Sequence, residues 1–166
     1  TIMPDDIIEL WSKFKFVELM ISIDGIGDQN KWLRYPTEWN TVEETLDKVE
    51  NSPHDNIVGK VLCTVSALNI WYLPDFAEFL MSKKYKKIGA QDHHGVFHPG
   101  ILHWPTYLCT KVLPTGLKQV NFMNEDDHSE SWPALNKYIH SLDKMRGTDF
   151  KKDFASLYDK WKKYEV

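Results

Sequence analysis

Polar side chains stand at the carboxyl ends of two predicted strands, the place where parallel sheets bind their ligands. Ser22 and Asp24 close the first strand, and Ser66 and Asn69 close the second. Hydroxyl and amide groups can hold a ribose, and the guanidinium fork of Arg34 suits a carboxylate. These residues are therefore candidates for ligand binding. The alternative is that Asp24 belongs to a strand-end turn and that Arg34 forms a surface ion pair.

A second group that could do chemistry is rich in histidine. Asp92, His93, His94, His98 and His103 have the composition of a zinc or nickel site. No cysteine joins them, and no histidine pair has the spacing of neighbouring helical turns. The surrounding glycines and prolines predict an irregular polar loop, so a metal site is a weaker interpretation than a loop at the mouth of the sheet.

Alternating helices and strands must position these groups. Apolar periodicity predicts a helix over 4–14, strands at about 17–23, 57–66 and 107–113, and two helices near the carboxyl terminus. Between the strands, a capping box from Thr41 to Glu44 predicts one helix, and Pro74 begins another that ends near 83–84. This order predicts an α/β fold of about three parallel strands with crossover helices, plus two C-terminal helices.

The first predicted strand carries its aliphatic residues on one face, while Glu18 and Ser22 share the other. A sheet covered on both faces would read as a near-continuous apolar run. We therefore expect helices on the aliphatic face and a lumen or cleft on the polar face.

Composition excludes several classes of protein. The 166 residues are 42% hydrophobic, enough for a single domain over 1–166, but a complete eight-unit barrel needs about 250 residues. The net charge of −4 argues against a nucleic-acid partner. The chain has no apolar run of the ~20 residues that a membrane span needs. It also lacks a basic signal sequence and a disulfide framework, so we expect a cytoplasmic protein.

Three segments, in order, resemble radical S-adenosylmethionine enzymes of the branch with a small "twitch" domain. Ile21 to Gly25, with the later Gln29, Asn30 and Arg34, is similar to the family's fourth barrel strand and the loop after it. Val61 to Asn69 is similar to the fifth strand, and Tyr107 to Pro114 to the sixth. The resemblance implies a partial barrel of the TIM type over 16–114, the C-terminal half, with 115–166 as a helical extension.

The family's chemistry, which the resemblance implies, is reductive cleavage of S-adenosylmethionine at a 4Fe-4S cluster, giving a radical that abstracts hydrogen from a substrate. By the same resemblance, Ser22 and Asn69 contact the cofactor's nucleoside or methionyl part, and Ser66 lies beside them. Asp24 shapes the substrate side and Arg34 is the basic residue next to it. The resemblance does not identify the substrate.

The family's cluster loop, Cys-x3-Cys-x2-Cys, and its Gly-Gly-Glu motif are both missing from the chain. Only Cys63 and Cys109 are present, too few to hold a cubane cluster. We therefore expect the chain alone to be inactive and to bind neither cofactor. A first residue that is not Met also suggests an incomplete or processed chain.

Open sheet edges predict a partner, either the missing N-terminal half-barrel or a second copy in a homodimer. Two other interpretations stay open: a stand-alone half-barrel that binds a partner without catalysis, and, less favoured, a metalloprotein built on the histidine loop.

Overall fold

The computed structural model describes residues 3–4, 6–89, 97–114, 117 and 129–164. Strands and helices alternate along much of the chain, which gives an α/β protein, as predicted. By its internal contacts the chain divides into two compact units. Unit one comprises Thr1–Cys63 and Pro74–Gly100, and unit two comprises Thr64–Leu73 and Ile101–Val166.

A three-stranded parallel sheet has the order β1 (Val17–Ser22), β2 (Ile57–Val65) and β3 (His98–Ile101). β1 and β2 pair in parallel, from Val17 opposite Ile57 to Ser22 opposite Leu62. In β1 the odd-numbered residues are half-buried and the even-numbered residues are exposed. The first two predicted strands are confirmed, and so is the one-sided burial of β1.

The predicted third strand at 107–113 is wrong. That segment forms two short 3₁₀ turns, Thr106–Leu108 and Thr110–Val112. The strand lies earlier, at His98–Ile101, and the Leu102 amide just after it donates to the Val65 carbonyl at 2.9 Å. A four-residue strand that contains proline and glycine shows no alternation of apolar and polar residues by which it could be predicted. The apolar run at 107–113 instead folds into tight turns and is partly buried there.

Unit one contains α1 (Ile7–Trp11), α2 (Gly27–Leu33), α3 (Trp39–Glu50) and nearly all of α4 (Leu73–Lys83). α3 buries Val42, Leu46 and Val49, the face predicted from the sequence. It begins before the predicted capping box, so Thr41 lies inside the helix and accepts a hydrogen bond from the Thr45 hydroxyl. α1 is shorter than predicted and has no fully buried residue.

Residues 86–89 pair with β2 on the side opposite β1. The Glu50 carboxylate at the end of α3 accepts hydrogen bonds from the backbone amides of Lys86 and Lys87, at 2.6 and 2.9 Å. This places Ile88 in a parallel bridge with Gly59 of β2. β2 is therefore a central strand, while β1 lies at the edge of the sheet.

Unit two is built on α5 (Trp132–Arg146), α6 (Phe150–Asp153) and α7 (Ala155–Trp161). The predicted last helix is thus two short helices, which break at Phe154. The Tyr72 hydroxyl accepts the Leu157 amide at 3.0 Å and fixes the start of α7. Among the residues that the structure describes, no helix is both long and apolar enough to cross a bilayer.

Candidate functional site

The carboxyl end of β1 carries the first candidate residues. Ser22 is the last residue of the strand, and its side chain is exposed. Ile23 is buried and its amide donates to the Leu62 carbonyl at 2.9 Å, which extends the pairing with β2 by one residue. The chain then leaves the sheet at Asp24, so Ser22 and Asp24 both lie at the end of a parallel strand.

Two residues of one helical segment converge on Asp24. The Asn30 Oδ1 accepts a hydrogen bond from the Asp24 amide at 3.0 Å. The Arg34 Nε lies 2.9 Å from the Asp24 Oδ2. Asn30 lies in α2 and Arg34 is the C-cap of this helix, so residues four apart share one face. The helix thereby holds both the backbone and the carboxylate of Asp24.

Gly25 permits this close approach of the turn to α2. A Cβ at this position would lie 3.3 Å from the Gln29 Cβ and 3.5 Å from the Asn30 amide nitrogen. Glycine avoids this crowding against the first turn of the helix. Asp24 and Gly25 thus form a strand-end turn, which was one of the two interpretations of the sequence. The same turn also carries the Asp24–Arg34 ion pair.

The Asp24–Arg34 pair is partly shielded from water. The side chain of Asp24 is 13% exposed and that of Arg34 is 30% exposed. Within the described part of the chain, the Arg34 guanidinium forms its ion pair with Asp24 alone. The Nδ2 of the fully buried Asn30 has no hydrogen-bond partner there. Most buried donors in folded proteins are hydrogen-bonded, and this one belongs to the residue whose Oδ1 accepts the Asp24 amide.

The thiol of Cys63 on β2 interacts electrostatically with this pair and is unreactive near neutral pH. Its side chain is 1% exposed, and burial raises its pKa to about 12, with the negative charge of Asp24 raising it further and Arg34 opposing. A thiol with such a pKa is neither a nucleophile nor a ready metal ligand near neutral pH. Cys109 is also free and buried, and it lies between 3₁₀ turns rather than in the strand predicted for it.

Ser66 and Asn69 lie in unit two, where they build the turn after β2. Asn69 Oδ1 accepts the Ser66 amide at 2.8 Å, and Asn69 Nδ2 donates to the Thr64 carbonyl at 2.9 Å. The Ser66 hydroxyl accepts the Leu68 amide at 3.3 Å. The side-chain amide of Asn69 is thus engaged on both sides by its own turn, and both side chains are nearly fully buried.

The histidine candidates are only partly within the described chain. His93 and His94 lie outside the described residues. His98 is half-buried at the start of β3, and His103 is exposed beyond it. Over the described ranges, no group of three histidine, cysteine, aspartate or glutamate side chains is arranged to hold a metal ion.

A shallow cavity of about 60 Å³ in unit two is lined by none of the predicted site residues. Several polar side chains that line it already accept hydrogen bonds from neighbouring residues. Asp143 accepts from the Thr148 hydroxyl and the Phe150 amide, and Asn136 accepts from the Trp161 indole. A space of this size holds water-sized molecules and is far smaller than a metabolite pocket.

Sequence reasoning identified Ser22, Asp24 and Arg34 but assigned no role to Asn30 and did not predict α2. The spacing of Asn30 and Arg34, four residues apart, was the available signal. Comparisons of the chain with protein-family models, with curated proteins and with solved structures find no match.

Proposed function

We propose that this chain supplies part of the nucleoside pocket and the substrate-side wall of a radical S-adenosylmethionine enzyme. In this proposal the three-stranded sheet is part of a partial TIM-type barrel, completed by a front half that brings the cluster loop. The observation that carries it is the Asp24–Arg34 pair, held by Asn30 at the carboxyl end of β1 next to the exposed Ser22.

The geometry supports a ligand with a nucleoside and an amino-acid end. Ser22 offers a hydroxyl at the strand end, and the Arg34 guanidinium, whose Nε faces Asp24, is 30% exposed. A guanidinium fork binds a carboxylate through two parallel hydrogen bonds. Since the Asn69 amide is engaged by its own turn, we assign Ser66 and Asn69 to holding the turn after β2.

The two groups implied by the family differ in how they fit this chain. S-adenosylmethionine fits Ser22, Asp24 and Arg34 by chemistry, since they provide a hydroxyl, a carboxylate and a guanidinium. A four-iron cluster does not fit, because Cys63 and Cys109 are buried and burial raises the pKa of Cys63 to about 12. Cluster ligation needs several accessible thiolates. The chain therefore contributes to cofactor binding and not to the redox centre.

Titration of the isotope-labelled full chain with S-adenosylmethionine, followed by amide NMR shifts, tests the proposal. The sequence alone led us to expect no cofactor on the isolated chain. Because Asp24 and Arg34 are already held together beside Ser22, we instead expect weak, saturable binding with shifts at Ser22 and Asp24. The Arg34→Ala variant should weaken binding about 10- to 100-fold, the range for loss of a charge-assisted hydrogen-bonded pair. Arg34→Lys should recover little, because an ammonium keeps the charge but not the fork.

Lys31→Ala is the matched control, because Lys31 lies on the same helix and pairs at 2.9 Å with the exposed Glu38. Its loss should leave the dissociation constant within about twofold, since exposed ion pairs contribute little. Shifts that never saturate, or equal binding by the Arg34→Ala variant and the unmodified chain, would overturn the proposed site.

A second candidate is an interaction module without catalysis, favoured by one observation. β1 is an edge strand whose Met20 is 65% exposed, so the sheet ends in an open edge that can accept another strand. The titration separates the two candidates, because an interaction module binds no S-adenosylmethionine.

A further inference from the structure

The outer edge of β1 has a defined set of backbone groups. The amides of Val17 and Ile23 donate to Asn56 and Leu62 on the β2 side, at 2.8 and 2.9 Å. Because backbone groups alternate in direction along a strand, the odd-numbered residues face β2 and the even-numbered residues face outwards. Glu18, Met20 and Ser22 therefore direct their N–H and C=O groups away from the sheet. In the part of the chain that the structure describes, these outward groups form no backbone hydrogen bond.

This edge carries one charged residue, Glu18, but lacks the other features that usually prevent strand pairing. Val17–Ser22 is regular and contains no proline, lysine or bulge. Met20, at its middle, is 65% exposed, and Phe14 and Phe16 just before the strand are 58% and 53% exposed. Three exposed apolar side chains thus lie on this strand or just before it.

We propose that β1 pairs antiparallel with β1 of a second copy of this chain, with Met20 opposite Met20 at the two-fold axis. In an antiparallel ladder, residues that both face outwards form hydrogen-bonded pairs. This register matches Glu18 with Ser22 of the other copy, Met20 with Met20, and Ser22 with Glu18. All outward groups of the strand are then paired, through about six interchain hydrogen bonds.

Charge also selects this register over its neighbours. A shift that centres the axis on Glu18 places the two Glu18 carboxylates opposite each other, and like charges directly opposite are destabilising. A shift that matches Glu18 with Met20 leaves Ser22 beyond the paired strand. With Met20 at the axis, Glu18 faces the Ser22 hydroxyl, which can donate a hydrogen bond to it. The edge is therefore self-complementary.

Site-specific disulfide trapping of the full chain tests the register. Hydrogen-bonded antiparallel pairs have Cα atoms about 5.5 Å apart, within the range that a disulfide spans. Under oxidised glutathione, Met20→Cys should cross-link to itself. Glu18→Cys and Ser22→Cys should each stay largely monomeric alone and cross-link when mixed. The native Cys63 and Cys109 do not interfere, since they are 1% and 3% exposed.

Met81→Cys is the matched control, because Met81 is 57% exposed on α4 and lies outside the edge. We expect at least a fivefold greater dimer fraction for Met20→Cys than for this control at equal concentration. Equal fractions would overturn the proposal, and so would a Glu18→Cys variant that cross-links to itself but not to Ser22→Cys.

A Met20→Pro substitution in the mixed Glu18→Cys and Ser22→Cys pair provides a second measurement. The Met20 amide faces outwards, so proline should spare the pairing of β1 with β2 while it removes an interchain donor. Cross-linking should fall to the level of the Met81→Cys control, and persistence would contradict the ladder. The pairing concerns this chain on its own, because a front half-barrel would occupy the same edge of β1. The dimer needs no cofactor, so its failure leaves the S-adenosylmethionine titration unaffected, and the reverse also holds.

Discussion

Gly59 lies where three elements meet, and substituting it tests how the site-bearing sheet is packed. A Cβ at this position would lie 3.1 Å from Ile88 Cγ1, 3.2 Å from Val49 Cγ1 and 3.5 Å from Ile21 Cδ1. Val49 is a fully buried, β-branched residue of α3, and such side chains have little rotamer freedom. Ile88 is fixed by its bridge to Gly59 itself. Neither neighbour can move away easily.

The magnitude follows from two opposing effects of a Gly59→Ala substitution. Overpacking a filled core costs about 1–3 kcal/mol, whereas a less flexible unfolded chain returns about 0.4–1 kcal/mol. We expect unit one to lose about 1–2 kcal/mol of unfolding free energy. Gly100→Ala is the matched control in the same sheet, because its Cβ would meet only the Cys63 carbonyl oxygen, at 4.0 Å.

Native-state amide hydrogen exchange at Val17 and Ile23 is the assay, since both amides donate from β1 to the β2 side within unit one. Exchange there should become about 5- to 30-fold faster in Gly59→Ala and stay nearly unchanged in Gly100→Ala. A Val49→Ala substitution should cost less in the Gly59→Ala background than alone, by at least about 0.5 kcal/mol. Unchanged exchange in Gly59→Ala, or strictly additive effects with Val49→Ala, would refute the packing argument.

Two further predictions concern other buried groups. In the folded protein burial raises the pKa of Cys63 from 9.0 to about 12, so its thiol stays protonated while that of the unfolded chain ionises. The free energy of unfolding should therefore fall by up to about 1.4 kcal/mol per pH unit between pH 9 and 12, and urea unfolding of Cys63→Ala should lack this component. In unit two, Tyr72→Phe should cost about 1–3 kcal/mol in urea unfolding, because it leaves the buried Leu157 amide without its acceptor. Tyr164→Phe, at a residue that is 37% exposed, should cost less than about 0.5 kcal/mol, and equal losses would count against this assignment.

The parts of the fold that the sequence predicts correctly are those with strong periodicity. β1, β2 and the inward face of α3 carry long patterns of alternating or helical spacing, and these fix which face is buried. β3 was missed because four residues that include Pro99 and Gly100 show no pattern. α2 was missed because Gly27 begins it and its buried residues, Asn30 and Trp32, do not form an apolar stripe.

The candidate site was predictable in its residue types but not in its contacts. That Ser22 and Asp24 stand at a strand end follows from the length of β1. That Arg34 reaches Asp24 depends on α2, whose position the sequence pattern does not indicate. The engagement of Asn69 by its own turn is likewise a consequence of local backbone geometry, since the same Asn could equally have faced a ligand.

The energetics of the Asp24–Arg34 pair leave room for the binding role that we propose for it. Partly buried ion pairs lose hydration that their mutual attraction only partly restores, so they are weak evidence for stability. Here the pair lies where Arg34 is still 30% exposed, and the buried Nδ2 of Asn30 lacks a partner within the described chain. A site optimised for stability alone would satisfy that donor or replace it with an apolar group. In the proposed site a ligand carboxylate would add a second partner to the Arg34 guanidinium, so the Arg34→Ala titration distinguishes a binding role from a purely structural ion pair.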